Sequence, residues 1–182
     1  MSKPAVTPHF PLNLRAIYIR ESETRIDPDF DPLVPGQQLV GQSKFSPQAY
    51  SVVSEKATKD AAPIAQSCAF TTKFEFLYRL GDGSEPGPTA DLSQLKLAAT
   101  ISVSIAADYF IAPGSKDLDK EFLSLWGQGT VLTHVWPYWR EYCHSTMTRM
   151  HLPLMLVPLM VQQTVKAEKA VPKTKAKPKK LI

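Results

Sequence analysis

The sequence predicts an α+β domain, a four-stranded antiparallel sheet with two helices packed on one face. Three observations predict it. Apolar and polar residues alternate over strand-length runs up to about residue 111, and apolar residues recur at helical spacing after Asp117. Proline- and glycine-rich stretches separate the runs, and strands followed by helices sort into two layers.

Residues 1–11 carry three prolines and read as a loose leader to a domain spanning 12–164. In the first strand, Leu12 to Ile26, Leu12, Leu14, Ala16 and Tyr18 alternate with Asn13, Arg15, Ile17 and Ile19, so both faces are partly apolar. Residues 27–48, with four prolines and two glycines, read as a long crossing loop that still carries Phe30, Leu33, Val34, Leu39, Val40 and Phe45. Structureless loops of that length are uncommon unless functional, which makes these apolar residues candidates for binding. A weaker second strand is expected from Ala49 to Thr58. The third is clear, with Cys68, Phe70, Thr72, Phe74, Phe76, Tyr78 and Leu80 on one side and Thr71, Lys73, Glu75 and Arg79 on the other. Residues 81–91, GDGSEPGPTAD, form a turn. In the fourth strand Leu95, Leu97, Ala99, Ile101, Val103 and Ile105 oppose Lys96, Thr100, Ser102 and Ser104, a hydroxyl-rich side suited to solvent or a subunit contact.

Asp117 to Trp126 reads as a short helix that Gly127 and Gly129 end. A second helix starts at Trp136, with Pro137 in its first turn, where a missing N–H leaves nothing unpaired. Trp136, Trp139, Cys143, Met147 and Met150 share one face, with Tyr142 beside them; Arg140, Glu141, His144, Ser145 and Thr148 share the other. Pro153 forbids continuation past Leu152. Leu152 to Met160 is then an apolar, proline-stiffened arm.

The chemistry-bearing residues do not assemble into a catalytic pattern. Gly81 and Gly83 lack the following helix and Lys-Ser/Thr of a phosphate loop. His134, Cys143, His144 and His151 match no zinc spacing, and Cys143 and His144 fall on opposite helix faces. Cys68 and Cys143 are expected to be buried, reduced thiols. Arg140 and Glu141, adjacent on a helix, point about 100° apart. Glu141 suits the dipole of a helix start, and Arg140 is expected to pair with a neighbouring segment. No enzyme, metal site or cofactor is expected.

The chain's net charge of +4 belongs to its end: residues 165–182 hold seven lysines against one acid, Glu168, while residues 1–164 sum to −2. That tail has no aromatic residue and is expected to be disordered. It would bind any polyanion, nucleic acid included, with steep salt dependence and no sequence choice. No apolar run approaches the roughly 20 residues of a membrane span, and the first ten residues lack a signal-peptide core. A cytoplasmic protein without membrane insertion is expected.

Trp136-Pro137-Tyr138-x-Arg140-Glu141, followed after about a dozen residues by Leu152-Pro153-Leu154-x-Leu156-x-Pro158, resembles the carboxyl-terminal signature of SecB-type export chaperones. The resemblance implies the sheet-and-helix order above, and a structural role for Pro137, Tyr138, Arg140, Glu141, Pro153 and Pro158. It further implies a homotetramer, a dimer of dimers, that wraps unfolded polypeptides in apolar grooves without ATP. Ile17, Ile19, Phe30, Leu33, Val34, Leu39, Phe45, Trp136, Leu154 and Leu156 are the expected client contacts, since large apolar patches mark interaction sites, with subunit interface an equal alternative for much of this surface. Clients are precursors for export or, in a second branch of the family, the antitoxin of a toxin–antitoxin pair. Many members end in an acidic tail with a Cys/His zinc motif that docks on the export motor; this chain has no Cys or His after His151 and ends in lysines, against that docking.

Overall fold

The computed structural model describes residues 11–53, 66–81, 91–112, 115 and 118–158, apart from the side chains at 48 and 49. Residues 1–10 of the leader, the end of the expected second strand, most of the 81–91 turn, the last two residues of the arm and the lysine tail lie outside the described residues.

Strands β1 (Leu12–Ile26), β2 (Leu39–Val53), β3 (Ser67–Leu80) and β4 (Leu97–Ile111) form one antiparallel sheet in the order β1-β4-β3-β2. Burial along β3 alternates residue by residue, as its sequence does: Phe70, Phe74, Phe76 and Tyr78 enter the core. The central strand β4 is covered on both faces. Ser102 and Ser104 are only 8% and 7% exposed, so of the two roles expected of the hydroxyl-rich side, solvent or a subunit contact, burial within the chain speaks against the first alone. Glu21 and Glu23 of β1 and Lys73 of β3 flank the small serines and shelter them within the chain.

The expected crossing loop is largely strand. β2 begins at Leu39, which leaves only residues 27–38 as connection and places Leu39, Val40 and Phe45 in the sheet. Pro47 concealed this: a proline is tolerated there because β2 is an edge strand, with a register shift between Pro47 and Ala49.

Helix α1 (Lys120–Trp126) starts on Asp119, whose carboxylate accepts from the Phe122 N–H at 2.8 Å. The glycines do not end it. The chain runs through a π-helical turn, Gly127–Val131, directly into α2 (Leu132–Arg149), so α2 begins four residues before Trp136 and holds Pro137 in its interior. A Cβ at Gly127 would sit 3.3 Å from the Phe70 ring, so this glycine permits close approach to β3. Burial of Val131, Leu132 and Val135 carries the helix past it. Glu141 therefore lies mid-helix, away from the dipole end that seemed to explain it.

The helices cover the β3–β4 face, and Trp139 stacks on Phe74 at 5.3 Å between centroids. α2 stops before Pro153 is reached. The Leu152 N–H bonds the Met147 carbonyl at 3.0 Å and the His151 N–H bonds that of Thr148 at 3.2 Å, with His151 at φ 54°. That is a Schellman stop, sealed by burial of Leu152 and Met147.

Candidate functional site

Between β2–β3 and the turn joining the helices lies a groove of about 760 Å³. Phe45, Tyr50, Phe70, Leu123 and Leu132 supply its apolar walls, and Gly127 and Gln128 edge it. Each element delivers its share for a local reason. β2 is an edge strand, so Phe45 and Tyr50 have neighbours on one side only. The bare Gly127 lets the helix turn lie close against the Phe70 ring, where a Cβ would come within 3.3 Å.

Phe45, 48% exposed, meets Trp136 edge-on at 5.6 Å and Phe74 at 6.3 Å. Trp136 is also the last anchor of the arm: its indole N–H donates to the Pro158 carbonyl at 3.0 Å. Arg140 Nε donates to the Val157 carbonyl at 3.2 Å, and the Tyr78 hydroxyl to that of Pro153 at 2.8 Å. The arm thus doubles back along α2, held by backbone carbonyls. Arg140 does pair with a neighbouring segment, and that segment is the other half of the sequence signature. Met155 packs onto Gly41 and Val157 is buried, whereas Leu154 and Leu156 stand out, 69% and 85% exposed. With Glu141, His144, Ser145 and Thr148 they border a second depression of about 510 Å³ on the far side of α2. Pro137 and Tyr138 are exposed.

The remaining sequence-derived candidates do not join this site. Phe30 is 6% exposed and belongs to the core, so its assignment as a contact is corrected: the short 27–38 connection folds it inward. Leu39 packs half-buried against the same core. Leu33 and Val34 are exposed in that connection. Ile17, half-buried, and Ile19, exposed, lie on β1, at the opposite edge of the sheet from the groove. Tyr50, Phe70, Leu123 and Leu132 were missed as groove residues. Phe70 reads as core by alternation, and Leu132 falls outside the helix as its glycines delimit it; only the sheet order brings the four together.

Nothing in the described residues resembles a reaction centre. Burial pushes the Cys143 thiol up to about 12, and burial with the nearby Asp108 charge pushes Cys68 up to about 11; neither is a nucleophile at neutral pH. Burial likewise raises Tyr78 and Tyr109, and the Tyr109 hydroxyl is bonded to His134 Nδ1 at 2.8 Å. Among the described residues no three His, Cys, Asp or Glu side chains converge as a metal site, and no helix is long and apolar enough to cross a membrane.

No protein-family model matches the sequence, and no curated protein matches it. The fold does have a counterpart among solved structures. The SecB-like chaperone Rv1957 of Mycobacterium tuberculosis, solved in complex with a ChAD peptide from the HigA1 antitoxin Rv1956, superposes with a TM-score of 0.55 at 20% identity. The match covers 84% of this chain and 92% of that one. Four antiparallel strands, a long helix and a returning arm held by that helix thus make this a chain of SecB-like fold.

Proposed function

We propose that the chain is an ATP-independent chaperone that holds non-native polypeptides in the groove between β2 and the helices. The groove itself carries this reading: it is walled by aromatic and aliphatic side chains and bordered by β2, an edge strand of the sheet among the described residues. An unfolded segment offers apolar side chains for the walls and unpaired backbone groups for the β2 edge, whereas a folded protein offers neither. Discrimination needs no nucleotide, because it rests on the client's own state. We further propose a cytoplasmic homotetramer, a dimer of dimers, whose protomers extend the apolar surface available to one client.

Two client classes fit this mechanism, precursors awaiting export and the antitoxin of a toxin–antitoxin pair. The antitoxin peptide held by the solved counterpart favours the second.

Light scattering from a refolding, aggregation-prone polypeptide, with near-stoichiometric chain and no ATP, tests the proposal. Suppression in moderate salt, retained after removal of residues 165–182 and lost on Phe45→Asp, is the expected result. Suppression that vanishes with the lysine tail and persists in Phe45→Asp would replace the groove by a polyanion-type interaction.

A further inference from the structure

Along the groove β2 and β3 meet in three facing pairs. Phe45 lies opposite Phe74, Pro47 opposite Thr72, and Tyr50, after the register shift, opposite Phe70. Facing residues of an antiparallel pair share one side of the sheet, and here that side lies under the helices, where Trp139 stacks on Phe74 and Gly127 approaches Phe70. Rings meet in the outer pairs, at 6.3 Å between centroids for Phe45–Phe74 and 5.8 Å for Tyr50–Phe70. The middle pair is small. It leaves a notch between two aromatic walls, which Leu123, Ser124 and Gly127 face from the helix side.

The floor of this notch is polar. Thr72 is 2% exposed, and its hydroxyl has no hydrogen-bond partner among the described residues. The buried hydroxyls of Tyr78 and Tyr109, by contrast, are bonded to the Pro153 carbonyl and to His134. An unpaired buried polar group costs free energy, and proteins keep few of them. Thr72 lines the groove, so the group that completes its bonding enters from there.

The surroundings select that group. No charged side chain lines the groove, so a carboxylate or an ammonium would lose its water without meeting a counter-charge. The walls favour a ring. Phe70 and Phe74 are four residues apart, about 13 Å along a strand, and a ring slotted between two others needs about 7 Å. A phenol meets both demands, since its ring fills the gap and its hydroxyl can donate to Thr72 or accept from it.

We propose that the notch over Thr72 takes the side chain of a client tyrosine, with Thr72 as the specificity-determining residue. The inference rests on the reading that the groove receives extended client chain. Phenylalanine would fill the same gap but leave the Thr72 hydroxyl unpaired and cut off from water, and that difference is the source of discrimination.

Two labelled synthetic peptides, uncharged and alike except for a central Tyr or Phe between valines, test this by fluorescence anisotropy with the full-length chain. The tyrosine peptide should bind about tenfold more tightly, the worth of one hydrogen bond at a buried site. In Thr72→Val the preference should vanish, through weaker binding of the tyrosine peptide alone. Equal affinities for the wild-type chain, binding of neither peptide, or a preference that survives in Thr72→Val overturns the proposal. Valine keeps the shape of threonine, so the urea midpoint of Thr72→Val should be unchanged or raised; a lowered midpoint would reveal an internal partner for the hydroxyl and count against the proposal. Discrimination between the peptides without any suppression of aggregation keeps the notch and removes the chaperone reading. Full suppression without discrimination does the reverse.

Discussion

At the end of α2 a histidine takes a backbone conformation that favours glycine. His151 has φ 54° and sits exposed, so its side chain contributes no burial in return for the strain of a left-handed turn. His151→Gly should raise unfolding stability by about 1 kcal/mol, read from urea or thermal midpoints, with the arm left in place. Tyr78 is the opposite case, a fully buried side chain whose hydroxyl satisfies an arm carbonyl. Tyr78→Phe leaves that Pro153 oxygen without its donor and should cost about 1–3 kcal/mol, with amide exchange rising first in the arm. The buried thiols add a pH signature. Their acid constants lie at about 11 for Cys68 and about 12 for Cys143, against 9.0 for an open thiol, so the folded state keeps protons that the unfolded chain releases. The stability they contribute is complete below pH 9 and declines as pH climbs through 10 to 12, by about 1 kcal/mol per thiol at pH 10. Cys143→Ala should flatten part of that slope in urea melts between pH 8 and pH 10.5, whatever it does to stability at neutral pH.

Among the elements, the arm depends on one bare position. A Cβ at Gly41 of β2 would overlap Met155 Sδ and come within 2.7 Å of the Phe76 ring. Both neighbours would have to shift, the flexible Met155 of the arm readily and the buried Phe76 ring at greater cost. Gly41→Val should lower stability by about 1–3 kcal/mol and expose the arm to protease, and adding Met155→Ala should restore the part of the loss that the arm carries, the Phe76 contact keeping the rest. If the second change restores nothing, the arm is not what Gly41 accommodates. This contact also shows what the sequence could and could not disclose. β3 was legible because its alternation is strict, and β1 was read to its observed bounds despite apolar residues on both faces, because Pro11 and Asp27-Pro28 mark its ends. β2 was not, since Pro47 and the small residues around it imitate a loop; an edge strand tolerates what a central strand would reject. The two helices were legible as faces but not as ends. Gly127 and Gly129 read as a stop, yet packing against Phe70 and the burial of Val131 outweigh glycine's preference. The groove was only half legible for the same reason. Phe45 and Trp136 stood out as surplus apolar residues, whereas Tyr50, Phe70, Leu123 and Leu132 become a wall only once β2 and α1 are placed beside each other.

For the whole molecule the unsolved surface is β1. It is an edge strand of 15 residues, and Leu14, Tyr18 and Ile19 on it are all about half exposed. A long apolar edge left open invites uncontrolled strand pairing, and natural proteins blunt such edges or cover them. The charges Arg20, Glu21, Glu23 and Arg25 occupy the second half of the strand, while Leu14, Ile17, Tyr18 and Ile19, with Arg15 paired at 3.5 Å with Asp108, occupy the first. That apolar half is also remote from the groove, at the opposite edge of the sheet, so a client seated in the groove does not protect it. A second copy of the chain, pairing through the same strand, would cover it symmetrically. Sedimentation at micromolar concentration should therefore give a mass at least twice 20.2 kDa. Tyr18→Lys with Ile19→Lys should reduce it to the single chain while each chain keeps its groove and still binds an unfolded polypeptide. A wild-type chain that sediments at 20.2 kDa would return Ile17 and Ile19 to the client-contact role that their exposure first suggested, and one unfolded polypeptide would then span both edges of the sheet.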